Sequence, residues 1–143
     1  MGCKQARQKR RKNKNNRVNE GKIIGSHVEE VDQYLTRISR SICKIKTKNM
    51  YGSGFFLKLS FDNDNTNYFK CLMTNEHIIT EEIIQSNDDE IEVSFDFNKK
   101  IIIPINTKQR YIKAFNKKNI NLDITVVQIL SSDNIEDSYF LSP

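Results

Sequence analysis

The stretch that decides the fold is residues 52–79, GSGFFLKLSFDNDNTNYFKCLMTNEHII. Two apolar runs, 55–61 and 68–74, flank the segment 62–67, which consists almost entirely of Asp and Asn. Asp and Asn favour turns because their side chains hydrogen-bond nearby backbone groups. The stretch therefore predicts a β-hairpin whose second strand delivers His77 at its end.

Short apolar segments separated by turn signals continue through the rest of the chain. Apolar and polar residues alternate from 91 to 97, which is the period of a half-buried strand. We expect further strands at 42–46, 101–105, 111–115 and 124–130, a helical turn at 80–85 and a hairpin turn at 98–100. Six to seven short strands predict an all-β fold, a single antiparallel β-barrel.

The region before the barrel divides into a tail and a helical segment. Residues 1–25 are polar and basic, and we predict that they are disordered. In 26–41 the apolar residues follow the three-four spacing of one helix face; they are Val28, Val31, Leu35 and Ile38. This spacing predicts an amphipathic helix or linker, with Ser26 as N-cap and Glu29 completing a capping box. The barrel domain is then 42–143.

Positive charge is concentrated in the tail. The 143-residue chain has a formal net charge of +5. Residues 1–17 hold eight Lys and Arg and no acidic residue, whereas the remaining 126 residues hold 15 basic and 18 acidic side chains. The basic character therefore belongs to the tail and not to the body.

The first residues of the tail suggest lipid attachment. Removal of Met1 would expose Gly2 to myristoylation, and Cys3 could carry a palmitoyl group, although Ala6 departs from the Ser or Thr of the consensus. A myristoyl chain needs a second chain or a polybasic patch for stable membrane binding. Cys3 and the basic run that follows offer both.

Two other interpretations of the tail stay open. A Lys/Arg-rich segment can be a nuclear-localisation or nucleic-acid patch, but no aromatic residue lies in 1–17 to stack on bases. The tail can also be a solvated segment without a partner. We predict an anionic membrane surface, and not nucleic acid, as the partner of the tail.

Composition excludes several protein classes. No apolar stretch has the length of a transmembrane helix, and no apolar segment follows the basic run as in a secretory signal. Cys3, Cys43 and Cys71 form no paired framework, and two histidines without a Cys-x-x-Cys motif predict no metal site and no cofactor. We predict a cytoplasmic protein that is not secreted, with association to the inner face of a membrane as an option.

His77 and Asp123 are the candidate catalytic residues. His77 follows an apolar strand and the residues Thr-Asn-Glu, and Asp123 opens the run Asp-Ile-Thr-Val-Val-Gln-Ile-Leu. A serine hydroxyl becomes a good nucleophile when an imidazole accepts its proton and a carboxylate fixes the tautomer of that imidazole. His77 and Asp123 supply the two residue types, an imidazole and a carboxylate, that such an arrangement needs.

At these residues the chain resembles the trypsin-like serine proteases, in their intracellular, bacterial-type branch. The segments that carry the resemblance are 52–56, 72–79 and 122–127, and the match covers the first of the family's two barrels. The resemblance implies a chymotrypsin-type barrel, His77 as general base, Asp123 as orienting carboxylate, and a peptide or protein substrate once a second barrel completes the site.

The nucleophile of that family has no match in the chain. Four serines follow Asp123, and none is flanked by glycine; they are Ser131, Ser132, Ser138 and Ser142. Ser53 lies between glycines but precedes His77, and we interpret this Gly-Ser-Gly as a strand bend or a close backbone approach. Cys71 also precedes His77 and is predicted to be a small buried hydrophobe.

We therefore expect a truncated trypsin-like peptidase domain that is inactive alone, because the nucleophile and the oxyanion hole are both missing. The alternative is a non-catalytic pseudoprotease that binds peptides or a partner, tethered to a membrane by a lipidated N-terminus. A third hypothesis makes residues 4–17 the functional element of a binding module. The resemblance also predicts an exposed apolar patch beside His77, where a second barrel would pack.

Overall fold

A computed structural model of the chain describes residues 17–62, 67–117, 120 and 122–143, with the backbone alone for 17–26 and 117. The structure divides into two compact units, Met1–Leu35 and Thr36–Pro143. Helix α1, Arg17–Ser41, begins in the first unit and ends in the second. The second unit contains the strands and helix α2, Glu81–Ser86.

Helix α1 begins earlier than the sequence predicts. Because it starts at Arg17, Ser26 lies inside the helix, and the predicted N-cap with its capping box to Glu29 is wrong. Ile24 lies four residues before Val28, so the apolar spacing of one helix face continues upstream of the predicted start. Of the tail predicted to be disordered, residues 1–16 lie outside the described residues, and from residue 17 the backbone is helical.

Seven strands form one antiparallel sheet in the order β5-β4-β1-β2-β3-β7-β6. Their bounds are β1 Ile42–Lys46, β2 Tyr51–Ser60, β3 Tyr68–Thr74, β4 Asp89–Phe95, β5 Lys99–Ile105, β6 Ile112–Lys117 and β7 Leu122–Gln128. The sheet curls into a half-barrel. The predicted all-β class with six to seven antiparallel strands is therefore confirmed.

The hydrophobic core lies on one face of the curled sheet. Alternate residues of the strands are fully buried there, as the two-residue period of a strand requires; they include Ile45, Phe56, Leu72, Val93, Ile103 and Val127. The segment after β7 closes this core from one side. Its Leu141 N–H donates to the carbonyl of Phe56 at 3.0 Å, and the Leu141 carbonyl accepts the N–H of Lys58 at 2.8 Å.

The turn between β4 and β5 differs from the predicted one. The sequence pattern places Phe97 on the strand and the turn at 98–100, but β4 ends at Phe95 and β5 begins at Lys99. Asp96 and Phe97 take left-handed φ angles of 47° and 62°, and the Phe97 side chain is fully exposed. The Asp96 carboxylate fixes this turn because it accepts a hydrogen bond from the Tyr139 hydroxyl at 2.6 Å.

Candidate active site

A closed turn at the end of β3 presents His77. The hydroxyl of Thr74, the last residue of β3, donates to the carbonyl of Ser53 on β2 at 2.7 Å. The carbonyl of Asn75 then accepts the N–H groups of Ile78 at 3.1 Å and Ile79 at 3.3 Å. The turn is therefore attached to the sheet on the side of β2 and closed by its own backbone hydrogen bonds.

Strand register brings Asp123 to this turn. β3 and β7 are antiparallel neighbours, and their pairing aligns Thr74 with Thr125. Because Asp123 precedes Thr125 by two residues, it lies beside the chain just beyond the end of β3. The pairing of β3 with β7 thus brings His77 and Asp123 together in space, although they are 46 residues apart in the sequence.

His77 and Asp123 form a hydrogen-bonded pair. The imidazole Nδ1 lies 2.6 Å from the Asp123 Oδ2, and the backbone N–H of His77 donates to the Asp123 Oδ1 at 3.1 Å. Both carboxylate oxygens therefore bond to the same residue, which fixes the plane of the carboxylate against the imidazole. The two residues that the sequence predicts as base and orienting carboxylate are brought together.

These contacts favour the ionised form of Asp123. The pKa of its carboxyl group is lowered below the ordinary value, first by the hydrogen bond from the His77 side chain and further by the backbone N–H groups of His77 and Glu76. An acceptor-only carboxylate at this position requires the imidazole to carry its proton on Nδ1. The other ring nitrogen, Nε2, is then left with a lone pair.

His77 Nε2 has no hydrogen-bond partner among the residues that the structure describes, and 59% of the side chain is exposed. The serines that follow Asp123 lie in the segment after β7, and none of them bonds to His77. Ser53 is exposed on β2 and does not bond to His77 either. Among the described residues, no serine hydroxyl is therefore hydrogen-bonded to the His77 ring.

An open, mostly apolar groove of about 450 Å³ adjoins Asp123. Its lining includes four apolar side chains, one from each of four strands; they are Ile42, Phe55, Met73 and Ile124. Asn75 and Asp123 are among its polar lining residues. The apolar patch was predicted beside His77, whereas this groove is lined by Asp123 and not by His77.

The glycines on either side of Ser53 allow close packing under this site. A Cβ at Gly54 would lie 2.7 Å from the Met73 carbonyl oxygen, and a Cβ at Gly52 would lie 2.6 Å from the side chain of Ile78. The interpretation of Gly-Ser-Gly as a place of close approach is confirmed. Ile78 directly follows His77 and is buried, so the space at Gly52 lets the turn seat on the core.

The remaining candidate residues contribute little to this site. Cys71 is fully buried, as predicted, and burial raises the pKa of its thiol to about 11. Cys43 is buried as well, and its pKa is raised to about 12. Gly2 and Cys3, the candidate lipidation residues, lie outside the described residues. In the described part of the chain, no cluster of three or more His, Cys, Asp or Glu could hold a metal ion.

Two comparisons with known proteins add no further assignment. No protein-family model matches the chain, and no curated protein matches it. Among the described residues, no helix has the length and apolarity needed to cross a bilayer.

Sequence reasoning missed the polar side chains that surround the pair. The Asn75 amide nitrogen lies 3.3 Å from Asp123 Oδ2, and Asn116 on β6 donates to the Glu76 carboxylate at 3.0 Å. Asn75 and Glu76 stand in the quoted Thr-Asn-Glu-His segment, but nothing in that segment names their partners. The pairing of Asn116 with Asp123 across β6 and β7 explains why Asn116 lies close enough to bond to Glu76.

Proposed function

We propose that this domain supplies the general base, His77, and the orienting carboxylate, Asp123, of a serine-peptidase-like site. The nucleophilic hydroxyl and the oxyanion-binding groups come from outside the described residues. Without them the 143-residue chain has no peptidase activity of its own.

One observation carries this proposal: the 2.6 Å contact between His77 Nδ1 and Asp123 Oδ2, combined with an exposed Nε2 that has no partner among the described residues. Here the carboxylate is clamped by the same residue that it orients. This arrangement directs Nδ1 to the carboxylate and leaves Nε2 as the ring nitrogen that can exchange a proton with a substrate or nucleophile.

Hydrolysis of an activated ester tests the base without requiring a nucleophile from another chain. We expect slow hydrolysis of p-nitrophenyl acetate by the protein, because a neutral imidazole attacks such esters directly. His77→Gln should remove most of this rate, and Asp123→Asn should reduce it. His27→Gln is the control, because His27 is also exposed and its Nδ1 lies 3.6 Å from Glu30, farther than the 2.6 Å between His77 Nδ1 and Asp123. Equal losses for both histidine variants would contradict the proposal.

A serine-directed fluorophosphonate probe tests the second half of the proposal. Such a probe reacts only with a hydroxyl that a neighbouring base activates. We expect no labelling of the 143-residue chain. Labelling that disappears in His77→Gln would show that the chain does contain its nucleophile, and the proposed division of the site would be wrong.

The apolar groove favours a second candidate function, a non-catalytic module that binds an extended apolar peptide or partner segment. Its mostly apolar lining, which includes Phe55 and Met73, suits an apolar side chain. In this case His77→Ala leaves binding of an acetylated apolar tetrapeptide unchanged, whereas Phe55→Ser abolishes it. Loss of binding in His77→Ala would count against a purely non-catalytic role.

A further inference from the structure

The side-chain amide of Asn75 forms hydrogen bonds with two oxygen atoms of Asp123. Its Nδ2 lies 3.3 Å from the carboxylate oxygen Oδ2 and 3.3 Å from the backbone carbonyl oxygen of the same residue. Both partners are hydrogen-bond acceptors, so the NH₂ side of the amide must face them. One donor group thus connects the side chain of Asp123 to its own main chain.

We infer that Asn75 is a positioning residue, which holds the Asp123 carboxylate in the orientation that takes the Nδ1 proton of His77. This inference rests on the proposed function, since Asn75 would orient the carboxylate that in turn orients the general base His77. The oxygen that Asn75 contacts is Oδ2, the same oxygen that lies 2.6 Å from His77 Nδ1. An ionised carboxylate has room for several donors, so the two bonds coexist.

Asn75 is itself well placed to act in this way, because its backbone is part of the closed turn. Its carbonyl accepts the N–H groups of Ile78 and Ile79, and the preceding Thr74 is attached to β2. The amide is therefore aimed at Asp123 from a fixed backbone.

Solvent makes this contact necessary. The Asp123 side chain is 43% exposed, so water competes for its oxygens, and a free carboxylate would rotate about its side-chain bonds. The backbone N–H of His77 anchors Oδ1, whereas the imidazole on Oδ2 belongs to a side chain that is itself 59% exposed. A third attachment, to the backbone of Asp123 itself, removes that freedom.

The neighbouring contact between Glu76 and Asn116 provides a matched control. Asn116 pairs with Asp123 across β6 and β7, and its amide donates to Glu76 at 3.0 Å. This bond attaches the same turn to the same point of the sheet without touching the Asp123 carboxylate. A general loosening of the turn should therefore follow from Asn116→Ala, whereas changes at Asn75 remove a donor from the Asp123 carboxylate directly.

The tautomer of His77 is the decisive readout, measured as ring-nitrogen NMR shifts in ¹⁵N-histidine protein. A His27→Gln background leaves one histidine in the spectrum. The spectra are compared at an alkaline pH at which they show one proton on the ring. We expect the Nε2 signal of the parent protein at the downfield position of an unprotonated nitrogen. In Asn75→Ala and in the isosteric Asn75→Asp it should shift upfield, as the Nε2–H tautomer gains population.

Two outcomes decide the inference. An upfield shift in both Asn75 variants, with the parent position retained in Asn116→Ala, supports it. Unchanged tautomer signals in folded Asn75 variants overturn it, even if urea unfolding shows that they are less stable, since Asn75 would then be only structural. If Asn75→Ala does not fold, Asn75→Asp and Asn75→Ser give the same decision. The NMR measurement uses no substrate or nucleophile. An absence of esterolysis would therefore contradict the proposed function without affecting the test of Asn75.

Discussion

The hydroxyl of Thr125 donates to the carbonyl of Ile79 at 2.8 Å. The two residues stand two positions beyond Asp123 and His77 and have the same sequence separation of 46 residues. Thr125 is fully buried and so is Ile79. A buried hydrogen bond thus runs parallel to the exposed one and holds β7 to the turn that carries the imidazole.

Replacing Thr125 with valine tests this buried bond. The variant keeps the shape of the side chain but leaves the Ile79 carbonyl without a donor in the core, which should cost about 1–3 kcal/mol of unfolding free energy. Urea unfolding measures the loss. Thr125→Ser keeps the hydroxyl and should lose clearly less stability than Thr125→Val. Equal losses for the two variants would mean that the methyl group, and not the hydrogen bond, matters here.

The strands and the candidate residues His77 and Asp123 could be predicted from the sequence because each is marked by a pattern in its neighbouring residues. Alternation and apolar runs placed β1 at 42–46 and β3 at 68–74, as observed. His77 and Asp123 each carry their own flanking pattern, so they could be recognised before their distance was known.

Contacts that depend on register or on a distant partner could not be predicted. The bond between Asn75 and Asp123 joins residues 48 positions apart, and it exists only because β3 and β7 are neighbours. The turn at Asp96 was misplaced for a similar reason. Phe97 continues the alternation of β4, and only the hydrogen bond from Tyr139, 43 residues away from Asp96, shows why the strand ends earlier.

The bond from His77 makes stability depend on pH through Asp123. The folded-state pKa of Asp123 is lowered by the His77 hydrogen bond, so the unfolded state binds the proton more readily. The stabilisation is present above the unfolded pKa of about 3.9 and is lost as the pH falls through the lower folded value.

The predicted direction is checked by measuring the free energy of unfolding of the parent protein and of Asp123→Asn across this pH range. The parent should be more stable near neutral pH, and the difference should shrink below about pH 4. A ¹³C titration of the Asp123 carboxyl group reports the folded pKa directly. A difference that grew on acidification would contradict the assigned direction.

Gly52 lies where the His77 turn meets the core, and Gly52→Ala tests this contact. The new Cβ would lie 2.6 Å from two atoms of the buried Ile78 side chain, so we expect a loss of about 1–3 kcal/mol from overpacking. Calorimetry or urea unfolding measures it. The backbone amide signal of His77 should shift as well, because Ile78 follows it directly.

A double-mutant cycle with Ile78→Ala isolates that clash. The double variant should be more stable than the sum of the single losses predicts, since the small side chain removes the atoms that collide. Gly54→Ala is the matched comparison. Its Cβ would lie 2.7 Å from the Met73 backbone oxygen, so Ile78→Ala should not relieve it. Strict additivity at Gly52 would show that the turn accommodates the methyl group by itself.

Arg110 and Asp133 form a buried ion pair at the far end of the β6–β7 hairpin that carries Asp123. The guanidinium donates to Asp133 at 2.8 Å and 3.1 Å and to the Gln128 carbonyl at 3.0 Å. The two side chains are only 2% and 5% exposed. Removing one charge leaves the other buried without compensation, so Arg110→Met should cost about 3–5 kcal/mol.

The double variant Arg110→Met/Asp133→Leu should recover part of this loss, because no charge then remains buried. The recovery is incomplete, since Asp133 also accepts the N–H of Leu130 at 2.7 Å. Arg110→Lys keeps the charge but cannot bond to both carboxylate oxygens, so we expect an intermediate stability. The His77 tautomer should stay unchanged in every variant that folds, because the pair acts on stability and not on the orientation of Asp123. A tautomer shift in Arg110→Lys would show that the hairpin transmits strain along β7 to the candidate site.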